Sequence, residues 1–446
     1  MSRIGLQLRR WRERVVRFVL PGEISEQSNN WNLYREIAWF GQLSAVTNTF
    51  VSVFALRLGA SSFLIGLRTA LPALINVFVQ VPAARLVEGE ADRRRVLLLW
   101  QWLMRVPVFF MVFAPLLPEP WRAGSVIGLA VAGAVPTAVA TVSFTAVFAD
   151  IVAPRDRAQV VSVRNALLAA TTTATLLVAG QVLDLLPFPL GYQAVFTVSF
   201  VSSMVSLYYL ARVVVPQSAA GAPEAEQPRP TAARRKQPGL PMDLLRSMQN
   251  LLTHRDLSRF TLAAFVFHWG LYFPIPLYAI YRVRTLGLSE GWIGALSMFE
   301  SAVTIVAYFA WGRLAQRHSS RFILLAGVLL VSFFPIGTAL SSTPVPLLLV
   351  SAVAGLAAPA FNLGLFNGLL EVAPAERRAT FVAVFNVLMN VAAFVSPLLG
   401  TSAADWLGIR EALLIGGALR IAGVVAVAYI LYGPSAPQRM MRRLKR

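Results

Sequence analysis

The sequence predicts an all-α integral membrane protein, with twelve transmembrane helices in two six-helix repeats around a central cavity. Composition supports the membrane assignment. Of the 446 residues 57% are hydrophobic and 14% are charged, whereas a soluble domain carries about 25% charged residues. A helix of about 20 apolar residues crosses a bilayer. Segments of this kind lie at 34–56, 62–84, 96–117, 122–148, 158–183, 191–213, 258–281, 290–312, 321–341, 345–370, 379–405 and 411–432.

The two-repeat arrangement rests on short stretches that occur twice. LGASSFLIG at 58–66 returns as LGLSEGWIG at 286–294, an offset of 228 residues. AQVVSVRN at 158–165 returns as ATFVAVFN at 379–386, an offset of 221 residues. Many secondary transporters consist of two homologous halves that hold the solute between them. The repeat therefore predicts a solute carrier.

Polar segments divide the chain into five parts. Residues 1–33 place apolar residues at helical spacing among arginines, which is typical of a basic amphipathic helix on the cytoplasmic leaflet. A solvated basic tail is the alternative. Residues 216–257 are predicted to form a cytoplasmic linker with a surface helix. The remaining parts are a six-helix bundle at 34–215, a second bundle at 258–432 and a basic cytoplasmic tail at 433–446.

Basic residues predict the orientation in the membrane. With both termini cytoplasmic, 30 Lys and Arg residues lie in inner segments and five lie in outer loops, which satisfies the positive-inside rule. The N-terminus lacks the apolar core and cleavage site of a signal peptide. We therefore expect a monomeric, multi-pass protein of a bacterial cytoplasmic (inner) membrane, in contact with anionic inner-leaflet lipid.

The sequence disfavours several other classes of function. The chain has no cysteine and three histidines far apart in sequence, so we expect no metal and no cofactor. The net charge of +19 is spread between apolar segments, which argues against nucleic acid as a partner. The sequence contains neither a Walker-type glycine loop nor a paired acidic cluster. We therefore expect neither an ATP-driven pump nor an enzyme.

Short cytoplasmic motifs carry a family resemblance. GRLAQRHSSR at 312–321 and the weaker ARLVEGEADR at 84–93 each follow the second span of a repeat. EVAPAERR at 371–378 follows span ten, and a looser counterpart follows span four with Asp150, Pro154 and Arg157. Together with the twelve spans and the central linker, these motifs resemble the major facilitator superfamily over essentially the whole chain.

The resemblance implies a role for the charged residues of these motifs. It implies that acids and arginines latch the two halves in the outward-facing state and part when the carrier opens inward. The alternative is that they only fix topology and loop geometry, since an exposed ion pair contributes about 0–1 kcal/mol. The residues concerned are Arg85, Glu88, Arg93, Asp150, Arg157, Gly312, Arg313, Arg317, Arg321, Glu371 and Arg378.

One subfamily pattern is missing from the sequence. Span five lacks the Gly-Pro motif of drug/proton antiporters, and span one carries Gln42 and Asn48 but no acid at mid-membrane depth. This departure disfavours a polyspecific exporter of cationic drugs.

Glu300 is the one acid that the sequence places near the middle of the membrane. Ionisable groups at this depth are costly and mark ion pathways, so we expect Glu300 to take up and release a proton during transport. A structural ion pair with Arg420 or another buried arginine is an alternative of equal weight. His268 is the second candidate for proton coupling, although a packing role is the stronger expectation for it.

Polar residues on spans near the expected cavity are candidates for solute contact. Arg68 either binds an anionic group or extends its side chain to the outer headgroups. Asn386 and Asn390 are expected to bond neighbouring helices. The cavity candidates are Arg68, Asn76, Gln80, Asn48, Ser297, Ser301, Thr304 and Asn362.

Charges inside the spans suggest the class of solute. Arg68, Arg105, Arg164 and Arg420 outnumber Glu300, which favours an anionic or zwitterionic amphiphile. Arg105 and Arg420 are also expected to hydrogen-bond neighbouring helices. The sequence therefore predicts a secondary active transporter of a small organic solute that works by alternating access with proton coupling. The alternatives are a cationic or amphipathic drug efflux pump and an uncoupled lipid or solute facilitator.

Overall fold

The computed structural model describes residues 24–90, 92–214, 254–374 and 378–432. These residues form helices and no strand, which confirms the all-α fold. Most of the predicted N-terminal amphipathic segment, the linker with its surface helix and the basic tail lie outside the described residues. The α-helices are α1 (Ile24–Ala45), α2 (Val51–Arg57), α3 (Ser62–Gly89), α4 (Arg93–Leu103), α5 (Val106–Met111), α6 (Glu119–Ala132), α7 (Ala134–Ile151), α8 (Arg157–Leu185), α9 (Leu190–Ala211), α10 (Arg255–Tyr272), α11 (Ile275–Ile280), α12 (Glu290–Ala315), α13 (Ser320–Leu340), α14 (Pro344–Val372), α15 (Arg378–Leu407) and α16 (Ile409–Tyr432).

Eleven helical segments of the described part are long and apolar enough to cross a membrane. Some of them join two helices. The first span runs Gln27–Arg57 through a π-helical turn at Val46–Phe50, and the seventh runs Arg255–Thr285 through another at Tyr281–Thr285. The exception is the predicted span 96–117, which consists of the separate helices α4 and α5. The predicted span at 96–117 is thus present as two shorter helices, while the other eleven predicted spans each correspond to one long helical segment.

Arg105 stabilises the break between α4 and α5. The amide of Arg105 bonds the carbonyl of Trp102 instead of that of Gln101, the usual helical partner four residues back. The guanidinium of Arg105 bonds the freed Gln101 carbonyl and also Gln101 Oε1 at 2.6 Å. Its Nε reaches the Ser203 carbonyl at 3.0 Å and its Nη2 reaches Ser206 Oγ at 3.1 Å. Arg105 is fully buried, and its predicted bonding to a neighbouring helix is confirmed.

Arg420 plays the same part at a second break, between α10 and α11. Pro274 has no N–H, so the Gly270 carbonyl four residues earlier loses its helical partner. Arg420 Nε donates to this carbonyl at 3.0 Å, and its two other nitrogens donate to Leu271 and Val331 carbonyls at 2.7 Å each. The predicted inter-helix role of Arg420 is therefore confirmed, and an ion pair with Glu300 is not what holds it.

The chain divides into two compact units, each with its own hydrophobic core. The first unit comprises Met1–Phe54 and Phe78–Ala225, and the second comprises Ala55–Val77 and Glu226–Arg446. Buried residues of the first core include Leu33, Leu97 and Leu210. Those of the second include Phe260, Phe267, Leu324, Phe361, Phe385 and Met389. Many large apolar side chains outside the cores are exposed, as a surface that faces lipid requires; examples are Trp121, Val306, Phe309, Leu349 and Trp406.

Replacing Arg105 with methionine should strongly destabilise the protein. The change leaves the carbonyls of Gln101 and Ser203 without their donor, and each buried unpaired group costs about 1–3 kcal/mol. Arg95→Met is the matched control, since Arg95 is exposed on the same helix. We expect a clearly lower midpoint of thermal unfolding in detergent for R105M than for R95M. Equal midpoints would contradict the assigned role.

Candidate functional site

A cavity of about 420 Å³ opens within the second unit. It lies between α10, α11, α13, α14 and α15. Its volume falls at the lower end of the range of small-molecule sites, about 300–1,000 Å³. It is lined by His268, Leu271, Tyr272, Ile275, Val331, Ala358, Phe361, Asn362, Leu365, Phe385, Asn386, Met389 and Asn390.

His268 presents one defined nitrogen to this cavity. Its Nδ1 lies 2.6 Å from the Ala264 carbonyl. A carbonyl can only accept, so Nδ1 carries the proton and Nε2 of the neutral ring is an acceptor. The ring packs against Tyr272 and Phe361, with centroids 5.7 Å from each. His268 is buried, with 4% of its surface exposed.

Three asparagines line the cavity with their side-chain amides. Asn362 and Asn386 are exposed and Asn390 is half-buried. Asn362 Nδ2 lies 3.5 Å from the hydroxyl of Tyr308. Asn390 Nδ2 donates to the backbone carbonyl of Asn386 at 2.9 Å within α15. Asn390 thus bonds its own helix where a bond to a neighbouring helix was expected, and both Asn386 and Asn390 line the cavity.

Two glycines allow α13 and α14 to pack closely beside the cavity. A Cβ on Gly327 would lie 2.3 Å from the Phe361 amide nitrogen, and one on Gly364 would lie 2.4 Å from the Leu324 amide nitrogen. Such contacts are too short for any side chain, so α13 and α14 can approach this closely only through glycine. The close approach fixes the stretch of α14 that carries Phe361 and Asn362.

Glu300 lies outside the cavity lining, in a separate polar cluster of the second unit. Among the described residues, no cationic side chain forms an ion pair with Glu300. The charge of Arg282 acts on it from a greater distance. Tyr278 interacts electrostatically with Glu300, Arg282 and Arg420. The predicted alternative for Glu300, a close structural ion pair, is therefore not found in the described part.

The other predicted cavity residues do not gather around one site. Asn48 donates to Ser44 Oγ at 3.2 Å in the first unit, and Thr304 Oγ1 donates to the Glu300 carbonyl at 2.8 Å. Arg68 is half-buried in α3 and engaged with other residues. The cavity brings together His268 and Asn362 and does not include Arg68, Asn76, Gln80, Asn48, Ser297, Ser301 or Thr304.

Glu36 is a buried acid that the sequence analysis overlooked. It is 3% exposed, and its Oε2 lies 2.9 Å from Arg164 Nη1. Ser206 donates to its other oxygen at 3.3 Å. Arg164 also bonds the Leu33 carbonyl at 3.1 Å and lies over the Phe144 ring at 4.5 Å. Two opposite charges, both placed inside predicted spans, would have signalled this pair in the sequence.

The cytoplasmic motifs form local contacts within each unit. Arg93 Nη1 pairs with Asp150 Oδ2 at 3.2 Å in the first unit. In the second unit, Glu371 accepts a bond from Ser320 Oγ at 2.5 Å. Arg157 donates to the Val152 and Ala149 carbonyls at the end of α7. The side chains of Glu88 and Arg378 lie outside the described residues. Exposed motif side chains are Arg85, Arg313, Arg317 and Arg321.

Eleven helical segments of the described part that could cross a membrane, together with two sequence repeats, define a multi-pass membrane protein. The family model of the Major Facilitator Superfamily matches residues 38–282 and 260–443. The chain belongs to this superfamily, whose members are transporters and not enzymes.

Individual relatives are more distant. The chain is 27% identical over 157 residues to the "Efflux pump roqT" of Penicillium rubens, a match over 34% of this chain and 27% of that protein. It is 29% identical over 147 residues to the "MFS-type transporter phomT" of Diaporthe leptostromiformis, over 32% of this chain and 23% of that protein. The chain thus spans about a quarter of the length of these curated relatives.

Solved structures show the same fold at low identity. The nucleoside transporter NupG superposes with a TM-score of 0.65 at 11% identity, covering 92% of this chain and 100% of that one. A D-xylose–proton symporter superposes with a TM-score of 0.63 at 14% identity, covering 91% of this chain and 97% of that one.

Proposed function

We propose that this protein is a proton-coupled secondary active transporter of a small organic solute that works by alternating access. The observation that carries the coupling is Glu300, a membrane-embedded acid with no ion-pair partner among the described residues. Glu36, by contrast, is fixed 2.9 Å from Arg164. An acid held in a close ion pair stays charged, whereas an acid without one can gain and lose a proton as its surroundings change. Glu300 is therefore the better proton carrier of the two.

The charge of the solute has to be reconsidered. An anionic or zwitterionic amphiphile was favoured because buried arginines outnumber acids. Arg105 donates to two backbone carbonyls and to the side chains of Gln101 and Ser206, and Arg420 donates to three backbone carbonyls. Arg164 is paired with Glu36. These three guanidinium groups are committed to the protein, so the excess of arginine is no argument for an anionic solute.

The relatives bear on the direction of transport. One of them carries the name "Efflux pump", which supports export as the direction and keeps drug efflux as the second candidate function.

Both curated relatives described above are fungal and lend no support to the expected bacterial inner membrane. We place both termini in the cytoplasm from the distribution of basic residues, and we expect a monomer with protons, solute and membrane lipid as partners.

Replacing Glu300 with glutamine tests the coupling. Glutamine keeps the shape of the side chain and cannot carry the proton. We expect E300Q in proteoliposomes to lose pH-driven accumulation of solute and to retain exchange of labelled for unlabelled solute. Glu119→Gln is the control, since Glu119 is exposed at the start of α6. Full pH-driven accumulation by E300Q would refute the assignment.

The cytoplasmic motifs are proposed to control the conformational change. Arg93 and Asp150 already pair within the first unit, and Glu371 is held by Ser320 within the second. These local contacts fit either role of the motifs. We propose that the latch groups are the exposed arginines at the other motif positions, because a guanidinium group can form bidentate bonds with a carboxylate.

Glu371→Gln should change the balance of inward-facing and outward-facing states. The change removes a negative charge without removing the hydrogen bond from Ser320. Nitroxide labels at the exposed positions 155 and 316, one in each unit, report the cytoplasmic separation by pulsed electron resonance. We expect a redistribution between two distances in E371Q and none in E119Q. Identical distance distributions in all three proteins would leave the motif with a structural role alone.

A further inference from the structure

We infer that the cavity between α10 and α15 binds an uncharged solute that combines a flat apolar ring with hydrogen-bonding groups. This inference rests on the proposed transport function and specifies its solute. Five polar side chains line the cavity: His268, Tyr272, Asn362, Asn386 and Asn390. Among the described residues, none that lines it carries a formal charge.

The polar groups of the cavity suit neutral partners. Asparagine amides each offer donors and an acceptor, and the Nε2 of neutral His268 offers an acceptor. A solute with amide or hydroxyl groups matches all of them. A carboxylate or ammonium group would find no side chain of opposite charge in the described lining, and burying a charge without a partner is disfavoured.

The aromatic and apolar side chains of the lining favour a solute that contains a flat ring. Phe361, Phe385 and Tyr272 present aromatic surfaces, and Met389 adds an adaptable thioether. Aromatic side chains bind ring systems through stacked or edge contacts, and methionine contacts aromatic rings favourably. Because Phe361, Phe385 and Met389 also belong to the hydrophobic core of the second unit, this wall is held in place before any solute binds.

Matched sets of three compounds test the solute class. Each set shares one ring and differs in charge: benzamide, benzoate and benzylamine; nicotinamide, nicotinate and picolylamine; indoleacetamide, indoleacetate and tryptamine. Binding is measured by thermal shift and titration calorimetry on the full chain in detergent. We expect the amides to bind and their charged relatives to bind at least tenfold more weakly.

Variants tie the binding to this cavity. Asn362→Ala and Asn386→Ala should each weaken amide binding about tenfold. Asn367→Ala is the matched control, because Asn367 lies on the same helix as Asn362 and does not line the cavity. The inference fails if charged members bind best, if no amide binds, or if N367A weakens binding as much as N362A. Failure of the E300Q experiment would remove the coupling and leave these binding results unaffected.

A second, independent feature concerns the two turns that the sequence repeat makes equivalent. We propose that Arg57 and Arg284 form a reciprocal clasp that fastens these turns together and has to open when the carrier opens to the outside. Both turns lie in the second unit and on the side that the topology predicts to be the outer one.

The clasp consists of two crossed arginines. Arg57, at the end of α2, donates to both carboxylate oxygens of Glu290 at 2.9 and 3.3 Å, and to the Leu288 carbonyl at 2.9 Å. Arg284 reaches the other way, to Ser62 Oγ at 3.2 Å and to the Ala60 carbonyl.

The acceptors are related by the repeat of 228 residues. Leu288 corresponds to Ala60, and Glu290, the first residue of α12, corresponds to Ser62, the first residue of α3. Gly59 and Gly287 also correspond, and both have positive φ, 89° and 59°, a backbone conformation that favours glycine. Two equivalent turns thus present equivalent acceptors to two arginines.

The two arms differ in chemistry. The Arg57 arm includes a bidentate ion pair, which salt screens because Arg57 is one-third exposed. The Arg284 arm ends on a hydroxyl and a carbonyl, which salt affects less. High salt should therefore loosen the clasp without releasing it.

Pulsed electron resonance on labels at positions 63 and 292 measures the separation of the turns; the chain has no native cysteine to remove. We expect Arg57→Gln and Arg284→Gln each to raise the population of a longer distance about fivefold. The charge swap Arg57→Glu with Glu290→Arg should restore the short distance. Arg122→Gln is the control, because Arg122 lies in the first turn of α6 and bonds the nearby Leu117 carbonyl. No change in R57Q and R284Q, an equal change in R122Q, or failure of the swap would overturn the proposal.

Discussion

The structure depends on one constraint: a backbone carbonyl inside the hydrocarbon layer has no water to bond and needs a donor from the protein. Both helix breaks described here meet it with a buried arginine. Arg105 donates a hydrogen bond to the Gln101 carbonyl, which is freed between α4 and α5. Arg420 donates one to the Gly270 carbonyl, which Pro274 leaves without a helical partner between α10 and α11. The second break allows Tyr272 and Ile275, on either side of it, to line the cavity.

This use of arginine separates structural charge from functional charge. The guanidinium groups of Arg105, Arg164 and Arg420 are held within the protein, and none of the three lines the cavity. Glu300, on which the charge of Arg282 acts, also lies outside the cavity lining. The side chains proposed to bind the solute and the acid proposed to carry the proton are therefore different groups. The two proposals can be tested by separate substitutions.

The sequence predicted the fold because apolar length and an internal repeat are properties of long segments. It predicted the site poorly because a site depends on how each helix is rotated about its axis. Asn386 and Asn390 line the cavity only through the packing of α15, and Arg57 meets Glu290 across 233 positions of the chain. The break in span three had a local signal, Arg105 two residues before Pro107 within an apolar segment. Glu36 was overlooked because it lies near a predicted helix end.

Comparison of the two repeats separates the features that the geometry of the turns requires from those that can change. Gly59 and Gly287 keep the same backbone conformation, and Ser61 and Ser289 each accept a bond from the amide three residues later. The next position differs, with Ser62 in one repeat and Glu290 in the other. Both residues accept a hydrogen bond from an arginine, so each turn keeps this contact. Only the contact with Glu290 includes a negative charge. Two equivalent turns are thus joined by one contact that includes an ion pair and one that does not.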